Sequence, residues 1–144
     1  MAESEELGVI GEIEEDGLPV VFKFVDLLPP EETRARLGWL TVISWKYDGG
    51  PRNGMPATDT NARMLALEHA LDDIEQKGHC RHAYSRTGNS LKEFVYYIAD
   101  RERFIAAFND ALAGHPRYPI EIHFYEDRGW SDLQKIRELF RRAT

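Results

Sequence analysis

A glycine-rich loop at residues 45–56, WKYDGGPRNGMP, has the residue types of a ligand-binding site. Gly49 and Gly54 are separated by four residues, as the glycines of a phosphate-binding P-loop are. That motif continues with a lysine, which reaches the phosphates, and a hydroxyl residue, which binds magnesium. Met55 and Pro56 stand at those two positions, so the P-loop chemistry is excluded.

Two binding interpretations of this loop stay open. Its backbone could capture an anion with help from Arg52, or its aromatic residues could flank a shallow pocket that acidic residues near the C-terminus complete. The candidate binding residues are Trp45, Tyr47, Asp48, Arg52, Glu126, Asp127 and Trp130. The structural alternative is a tight turn from a strand into a helix, with Asp127 fixing the turn before the last helix.

His79, Cys80 and His82 suggest a metal site, because imidazole and thiolate are zinc ligands. Neighbouring residues of a strand point to opposite faces, and His123 is expected on a strand about 14 Å away. The ligands therefore do not converge, and neither a metal nor a cofactor is predicted. Cys80 and His82 could form a thiolate–imidazole pair, but no motif for an orienting group or an oxyanion hole accompanies them. No catalytic residue is assigned.

The acidic residues are concentrated at the N-terminal end. The net charge is −7, and residues 1–32 hold ten acidic residues and one basic residue. Such asymmetry is typical of an arm that meets a basic partner, or of a solvated hairpin that maintains solubility. The candidate partner-binding arm consists of Glu12, Glu14, Glu15 and Asp16. A second acidic group, Glu68, Asp72 and Glu75, is expected to face water from a helix.

Periodicity predicts the elements that position these residues. Residues 1–6 are expected to be frayed. The predicted strands are Gly8–Glu14, Leu18–Val25, Trp39–Tyr47, Cys80–Thr87, Leu91–Ile98 and Pro119–Glu126. The predicted helices are Glu31–Leu37, Asn61–Lys77, one that Asp100 caps, and Ser131–Arg142, in which Ser131 and Gln134 form a capping box.

One domain of class α+β accounts for this order. Residues 39–126 read β-α-β-β-α-β, which predicts a ferredoxin-like core with both helices on one face of an antiparallel sheet. The strands at 39–47 and 91–98 are expected in the centre and the other two at the edges. The hairpin at residues 8–25 is expected to extend or cover an edge, and the helix at residues 131–142 completes the domain.

Composition excludes several protein classes. The single cysteine, Cys80, cannot form an internal disulfide and suits a reducing cytoplasm. The acidic N-terminus is not a secretory signal, and no apolar run approaches the ~20 residues of a membrane span. Residues 94–97, Phe-Val-Tyr-Tyr, match the end of an RNA-binding motif, but its basic half is absent and the net charge opposes phosphate binding. Nucleic acid is not the predicted partner.

Several short motifs occur together in one order. They are Trp45-x-Tyr47-Asp48, Gly54-Met55-Pro56, Leu67-Glu68, Tyr96-Tyr97-x-x-Asp100, Tyr118-Pro119-Ile120 and Glu126-Asp127-x-x-Trp130. With them the chain resembles the domain of unknown function 695 family, from about the first hairpin to Trp130. It is similar, more distantly, to the family of the bacterial regulator of ribonuclease activity B. That likeness implies a small acidic protein with a ferredoxin-like core that inhibits an endoribonuclease.

The sequence thus favours a bacterial cytoplasmic domain that is not an enzyme and that binds a protein. The partner would meet the acidic hairpin or an uncovered sheet face, and a homodimer is one way to cover exposed aromatic residues. An acidic inhibitor of a nuclease-like protein is one form of this hypothesis. The alternative is a small-ligand-binding protein or enzyme that uses the loop at residues 45–56 with Glu126, Asp127 and Trp130.

Overall fold

The computed structural model describes residues 8–143, with side chains up to residue 141. The segment expected to be frayed, residues 1–6, lies outside the described residues. Within residues 8–143 the chain has a mixed α+β fold, with a six-stranded antiparallel sheet and four α-helices. No helix in this range has the length and the apolar content that crossing a bilayer requires.

The elements follow the predicted order. The strands are β1 (Val9–Glu15), β2 (Leu18–Phe24), β3 (Trp39–Lys46), β4 (Cys80–Gly88), β5 (Leu91–Ile98) and β6 (Ile120–Glu126). The helices are α1 (Glu31–Arg36), α2 (Thr58–Glu75), α3 (Arg101–Ala111) and α4 (Ser131–Ala143). The main difference is α2, which begins at Thr58, three residues before the predicted start.

A two-residue turn joins β1 to β2. Asp16 and Gly17 have φ angles of 54° and 79°, which are the left-handed values of a type I′ hairpin turn. This turn places Glu15 opposite Leu18 and thereby sets the register of the whole hairpin. The hairpin then joins the sheet, because Val20–Phe24 pair antiparallel with Tyr84–Gly88. The prediction that the hairpin extends an edge is confirmed.

The strand order is β1-β2-β4-β5-β3-β6. The predicted pairing of β3 with β5 is present, from Trp39 opposite Ile98 to Lys46 opposite Leu91. Among the four strands of residues 39–126, β4 and β6 are the outer ones, and β2 of the hairpin extends the sheet beyond β4. The outermost strands of the described sheet are β1 and β6.

Helices α2 and α3 pack on the same face of the sheet, here named the α2 face. Their apolar side chains form one cluster with alternate residues of β3 and β5. The buried members from the helices are Met64, Leu67, Leu71, Ile74, Phe104 and Phe108, and those from the two strands are Ile43, Trp45, Phe94, Tyr96 and Ile98. This arrangement matches the prediction that the two long helices share one face.

The opposite face of the sheet, here named the α4 face, is also covered. Leu133 of α4, together with Leu37 and Trp130, packs on strand side chains that point away from α2. These strand residues are Val20, Phe22, Phe24, Leu40, Ala83, Tyr84, Val95 and Tyr97. The prediction of an uncovered aromatic face on the central strands is therefore wrong. On the central strands, the residues that point to one face of the sheet and those that point to the other are both apolar, because both faces are buried.

Phe140 fixes the C-terminal helix over the hairpin. Its ring centroid lies 5.5 Å from that of Phe22 and 5.2 Å from that of Phe24. Gly11 of β1 makes this contact possible, because a Cβ atom at that position would overlap the Phe140 ring. One aromatic side chain thus joins α4, β1 and β2.

We predict that Phe140→Ala lowers the free energy of unfolding by about 3 kcal/mol, because it removes a ring packed on two others. Leu139→Ala is the matched control, since Leu139 is 41% exposed on the same helix and its loss should cost under about 1 kcal/mol. Urea denaturation of both variants checks this. Equal losses would show that Phe140 does not hold the helix to the hairpin.

Candidate functional site

The loop at residues 45–56 satisfies its own polar groups. The hydroxyl of Tyr47 donates to the Gly54 carbonyl at 2.7 Å, and the Gly50 N–H donates to the Asp48 carboxylate at 3.1 Å. The Gly54 N–H donates to the Gly49 carbonyl at 2.7 Å. Because these N–H groups already have acceptors, they are not directed at an anion.

Close backbone packing explains the glycines of this loop. A Cβ atom on Gly49 would lie 2.5 Å from the carbonyl carbon of Gly54. Trp45, at the start of the loop, is 1% exposed, and its ring lies 5.3 Å from that of Tyr118. The exposed Arg52 guanidinium donates to the Asp48 carbonyl at 3.0 Å. The loop therefore has the contacts of a structural turn.

Asp127 accepts hydrogen bonds from two elements. Its Oδ1 accepts from the Ser131 N–H at 2.8 Å and from the Ser131 hydroxyl at 2.7 Å. Its Oδ2 accepts from the Asp132 N–H at 3.0 Å and from the Tyr97 hydroxyl at 2.7 Å. Burial alone would raise the pKa of Asp127, but these hydrogen bonds lower it below its usual value. Asp127 thus caps α4 and joins it to β5, in place of the capping box predicted for Ser131 and Gln134.

Trp130 completes the same structural unit. It is 1% exposed, and its indole N–H donates to the Leu37 carbonyl at 2.9 Å. Its ring stacks on that of Tyr97, with centroids 4.0 Å apart and an interplanar angle of 8°. Glu126, by contrast, is exposed at the end of β6. Neither the indole N–H of Trp130 nor the Asp127 carboxylate is free to receive a substrate.

The two halves of the candidate ligand site lie at opposite ends of β3. Trp39 pairs with Glu126, whereas Trp45 pairs with Ile120. Trp39 and Trp45 are six steps apart along the strand, which is roughly 20 Å. The structure therefore does not bring the loop at residues 45–56 together with Glu126, Asp127 and Trp130.

Two surface cavities lie away from the loop at residues 45–56. One, of about 830 Å³, lies between α3 and β6 and is lined by residues that include Trp39, Arg101, Ile105 and Phe124. The other, of about 410 Å³, is lined mainly by residues 25–30, with Arg81, His82 and Trp130. Of the seven candidate binding residues, only Trp130 contributes to either cavity.

The four residues of the candidate acidic arm divide into two pairs. The carboxylate of Glu15 accepts from Arg86 at 3.2 Å and from Asn89 at 3.1 Å, and that of Asp16 accepts from Asn89 at 3.2 Å. The hydrogen bond from Asn89 lowers the pKa of Glu15 below its usual value. Burial would raise this pKa, and the charge of Arg86 lowers it further. Glu12 and Glu14 are exposed. Glu15 and Asp16 therefore fix the hairpin to the β4–β5 turn.

Helix α2 carries a second acidic row whose position differs from the prediction. Glu68, Asp72 and Glu75 are half-buried, and the Glu75 carboxylate accepts the backbone N–H of His82 at 2.8 Å. Successive helix residues are rotated by about 100° around the helix axis, so Glu68 and Glu75 lie only about 60° and 40° around the axis from the buried Leu71. The expectation that this row faces water is wrong, because it borders the apolar stripe.

A buried polar pair lies beneath this acidic row. The rings of His82 and Tyr96 stack with centroids 4.3 Å apart, and the residues are 3% and 0% exposed. His82 Nε2 and the Tyr96 hydroxyl have no hydrogen-bond partner among the described residues. Burial, with the nearby charge of Lys92, lowers the pKa of His82 to about 3. Burial and the charges of the acidic row raise the pKa of Tyr96.

The other histidines are dispersed. His79 is exposed, and its Nδ1 lies 3.3 Å from Nη1 of Arg103. His123 is exposed on β6, which lies three strand positions from β4 in the sheet. Cys80 is 4% exposed and packs among the apolar residues under α2 and α3. Between residues 8 and 143, no group of three histidine, cysteine or acidic side chains could hold a metal ion.

The aromatic residues of β5 are core residues. Phe94, Tyr96 and Tyr97 are each 0% exposed and lie beneath helices on their respective faces. In this fold they have no ring surface to stack on a base. The sequence analysis missed the polar pair of His82 and Tyr96. The available signal was the acidic row of α2, whose spacing of i, i+4 and i+7 puts it beside the buried stripe of that helix.

A comparison with protein families gives one match. The model of a family of unknown function, DUF695, matches residues 14–134, well over half of the chain. The first resemblance read from the sequence is therefore confirmed, while the likeness to the regulator of ribonuclease activity B stays a prediction. No curated protein and no solved structure matches the chain.

We predict that Tyr96→Phe leaves the free energy of unfolding unchanged or raises it by up to about 1 kcal/mol, because the hydroxyl that it removes is buried without a partner. Tyr97→Phe is the matched comparison and should cost about 2 kcal/mol, since its hydroxyl donates to the Asp127 carboxylate. Chemical denaturation measures both. A loss at Tyr96 as large as that at Tyr97 would mean that the Tyr96 hydroxyl is bonded in solution.

His82 should make stability depend on pH. The unfolded chain binds a proton on this ring with the ordinary pKa of 6.5, whereas the folded chain keeps it neutral down to about 3. The free energy of unfolding should therefore fall as the pH falls, by roughly 2 kcal/mol between pH 7 and pH 5 from this group. Denaturation at both pH values should show a smaller fall in His82→Phe, while the control His69→Gln, at an exposed position, keeps the wild-type fall.

Proposed function

We propose that this chain, which belongs to the family of unknown function DUF695, is a non-enzymatic domain that binds a basic protein partner through its acidic hairpin. The observation that carries the proposal is the pair Glu12 and Glu14. Both are exposed on the outer strand β1. Residues two apart on a strand share a face, so their carboxylates lie side by side.

The division of the hairpin acids supports this proposal. Glu15 and Asp16 are used by the fold, through Arg86 and Asn89. Glu12 and Glu14 lie opposite Val21 and Pro19 on β2, neither of which is a cation. Paired exposed charges of one sign attract an oppositely charged protein and accelerate its association.

The distribution of reactive side chains supports a binding role over catalysis. The polar groups of the loop at residues 45–56 are bonded within the loop or to the β4–β5 turn, and Asp127 is bonded to α4 and β5. A general acid–base pair needs groups within hydrogen-bond reach of one substrate. The two ends of β3 hold these candidate groups roughly 20 Å apart.

The finer fold assignment belongs to the same proposal. The order β4-β5-β3-β6, with α2 and α3 on one face, supports treating residues 39–126 as a ferredoxin-like core. A nuclease-like protein is one basic partner of the proposed kind, by analogy with the regulator of ribonuclease activity B. The proposed location is a reducing cytoplasm, which the single buried cysteine suits.

We predict that Glu12→Lys with Glu14→Lys weakens binding of the partner at least about tenfold, because it places like charges at the contact. Affinity purification from the native host, with wild-type protein as bait, identifies basic proteins. Binding of each purified candidate is then measured at low and high salt.

Glu31→Lys with Glu32→Lys is the matched control. These two residues are also adjacent, exposed and acidic, but they lie on α1. The proposal requires that the control retains the partner and that the hairpin variant loses it. Equal binding by all three proteins would show that the hairpin is not the binding surface.

A further inference from the structure

We infer that the outer edge of β6 pairs with β6 of a second copy of this chain, so that two chains form one continuous antiparallel sheet. In the described sheet β6 is an outermost strand, and β3 is its neighbour on one side. An edge strand presents backbone donors and acceptors to another chain. This pairing does not depend on the proposed function, because the acidic hairpin lies at the opposite edge of the sheet.

The register between β3 and β6 determines which backbone groups of β6 point outward. Along an antiparallel strand, residues that bond to the neighbouring strand alternate with residues whose N–H and C=O point away from it. The Asp127 N–H donates to the Gly38 carbonyl at 2.9 Å, and these two residues continue the pairing of β6 with β3. The odd-numbered residues of β6 therefore bond to β3, and the even-numbered residues point their N–H and C=O groups outward.

The outward groups belong mainly to Ile122 and Phe124. The Glu126 N–H and the Ile120 carbonyl also point outward, whereas the Ile120 N–H donates to the Tyr118 carbonyl at 2.9 Å. Within residues 8–143 the only strand paired with β6 is β3, on its other side. The edge thus has both donors and acceptors ready for a further strand.

The sequence of β6 lacks the features that usually keep an edge strand from pairing. Natural edges carry lysine, proline or a β-bulge, or they are covered by another element. The strand reads IEIHFYE, without lysine or proline, and it pairs with β3 at seven consecutive positions without a bulge. The other outer strand, β1, carries the exposed Glu12 and Glu14, which repel a second copy. Of the two edges, β6 is therefore the one suited to self-association.

The outward groups also determine the register of the pairing. Hydrogen-bonded pairs between two copies must join even-numbered residues to even-numbered residues. The arrangement that pairs all of β6 puts Ile122 opposite Phe124 of the second copy, and Phe124 opposite its Ile122. The two-fold axis then passes between the two copies of His123. This central pair is not hydrogen-bonded, so its side chains lie closest to each other.

On the α2 face, the pairing joins apolar side chains. Ile122 and Phe124 are each half-buried, and both pack against the core cluster under α2 and α3. Phe124 also lines the cavity of about 830 Å³ beside α3. Ile122 of the second copy would adjoin Phe124 there and cover part of the apolar surface that one chain leaves open. Apolar cross-strand pairs of this kind stabilise a sheet.

On the opposite face, the exposed side chains are compatible with self-pairing. Glu121 faces Tyr125 of the second copy, whose ring is 52% exposed in one chain. His123 lies diagonally from Glu121 of the second copy, at about 7–8 Å, which favours the protonated imidazole. Glu126 faces Ile120. No carboxylate is placed directly opposite another carboxylate, so charge does not oppose the register.

The pairing leaves both acidic hairpins accessible. Because β1 and β6 are opposite edges, the combined sheet has a β1 strand at each end. At the usual strand spacing these ends lie roughly 50 Å apart. The two-chain assembly therefore presents two acidic hairpins, which a partner with two basic surfaces binds more tightly than one hairpin.

Sedimentation equilibrium and amide hydrogen exchange on the full chain test the pairing. We expect a dimer that forms as concentration rises, with slower exchange of the Ile122 and Phe124 N–H groups in the dimer. The N–H groups of His123 and Tyr125, which bond to β3, should exchange slowly at every concentration. A chain that stays monomeric up to about 1 mM would overturn the inference. Slow exchange of Ile122 and Phe124 in the monomer would also overturn it, because the chain would then cover its own edge.

Charge changes at the axis test the register. His123→Lys and His123→Glu each place like charges opposite each other and should weaken the dimer at least about threefold. An equimolar mixture of the two variants should restore it, because a lysine then faces a glutamate. Slow exchange of the Tyr125 N–H confirms that β6 still pairs with β3 in each variant. A mixture that associates no better than either variant alone would contradict the two-fold register.

His69→Lys is the matched control, since His69 is exposed on α2 and lies outside β6. It should retain the wild-type dimer, and so should Glu12→Lys with Glu14→Lys on β1. Loss of the dimer in the β1 variant, with no change in the His123 variants, would place the contact on the hairpin and overturn the pairing through β6. Because the β1 variant is the one that tests the proposed function, the two proposals can fail separately.

Discussion

The antiparallel pairing of Val20–Phe24 with Tyr84–Gly88 is the interaction on which the rest of the structure depends. It converts β4 from an edge strand into an inner strand and widens the sheet from four strands to six. It also brings Phe22 and Phe24 beside Ala83 and Tyr84, which creates the apolar surface that α4 covers. The hairpin therefore widens the apolar surface on which the second helical layer packs.

Local patterns predicted the elements well, and tertiary contacts account for the misses. The sequence predicts that Asp100 caps α3, and its Oδ1 accepts the Arg103 N–H at 3.0 Å. This cap is predictable because the interaction spans only three residues. The cap of α4 could not be predicted in the same way. Asp127 accepts from Ser131 while it also accepts from Tyr97, which lies 30 residues away in the sequence. The contact with Tyr97, on another strand, decides how Asp127 caps α4. Hydrophobic periodicity contains no information about that contact.

The covering of the sheet shows the same limit. Alternation on β5 puts Phe94 and Tyr96 on one face and Val95 and Tyr97 on the other, so the sequence shows two apolar faces. It does not show that α4 returns across the second face. The signal that was available is the apolar content of α4 itself, since Leu133, Ile136 and Phe140 need a surface to cover. Two apolar faces on a central strand predict two helical layers.

The candidate ligand site could have been tested against the predicted topology. Antiparallel pairing of β3 with β6 puts Trp45 opposite Ile120 and Trp39 opposite Glu126, so the two halves of the site lie at opposite ends. The exposure of Glu12 and Glu14 followed from alternation along β1. The use of Glu15 could not be inferred, because its partners Arg86 and Asn89 are 71 and 74 residues away.

The acidic residues therefore divide by what their carboxylates bind, and net charge alone does not reveal the division. Glu15, Glu75 and Asp127 accept hydrogen bonds that join two elements, so their loss would disturb the fold. Glu12 and Glu14 make no such contact in the described chain, and Glu68 acts on Lys92 through charge. A surface that keeps like charges together without a structural need for them is under electrostatic strain, which an oppositely charged partner relieves. Glu12 and Glu14 are therefore the hairpin carboxylates that the described fold leaves to a partner, and this is the physical reason to place the proposed contact on β1.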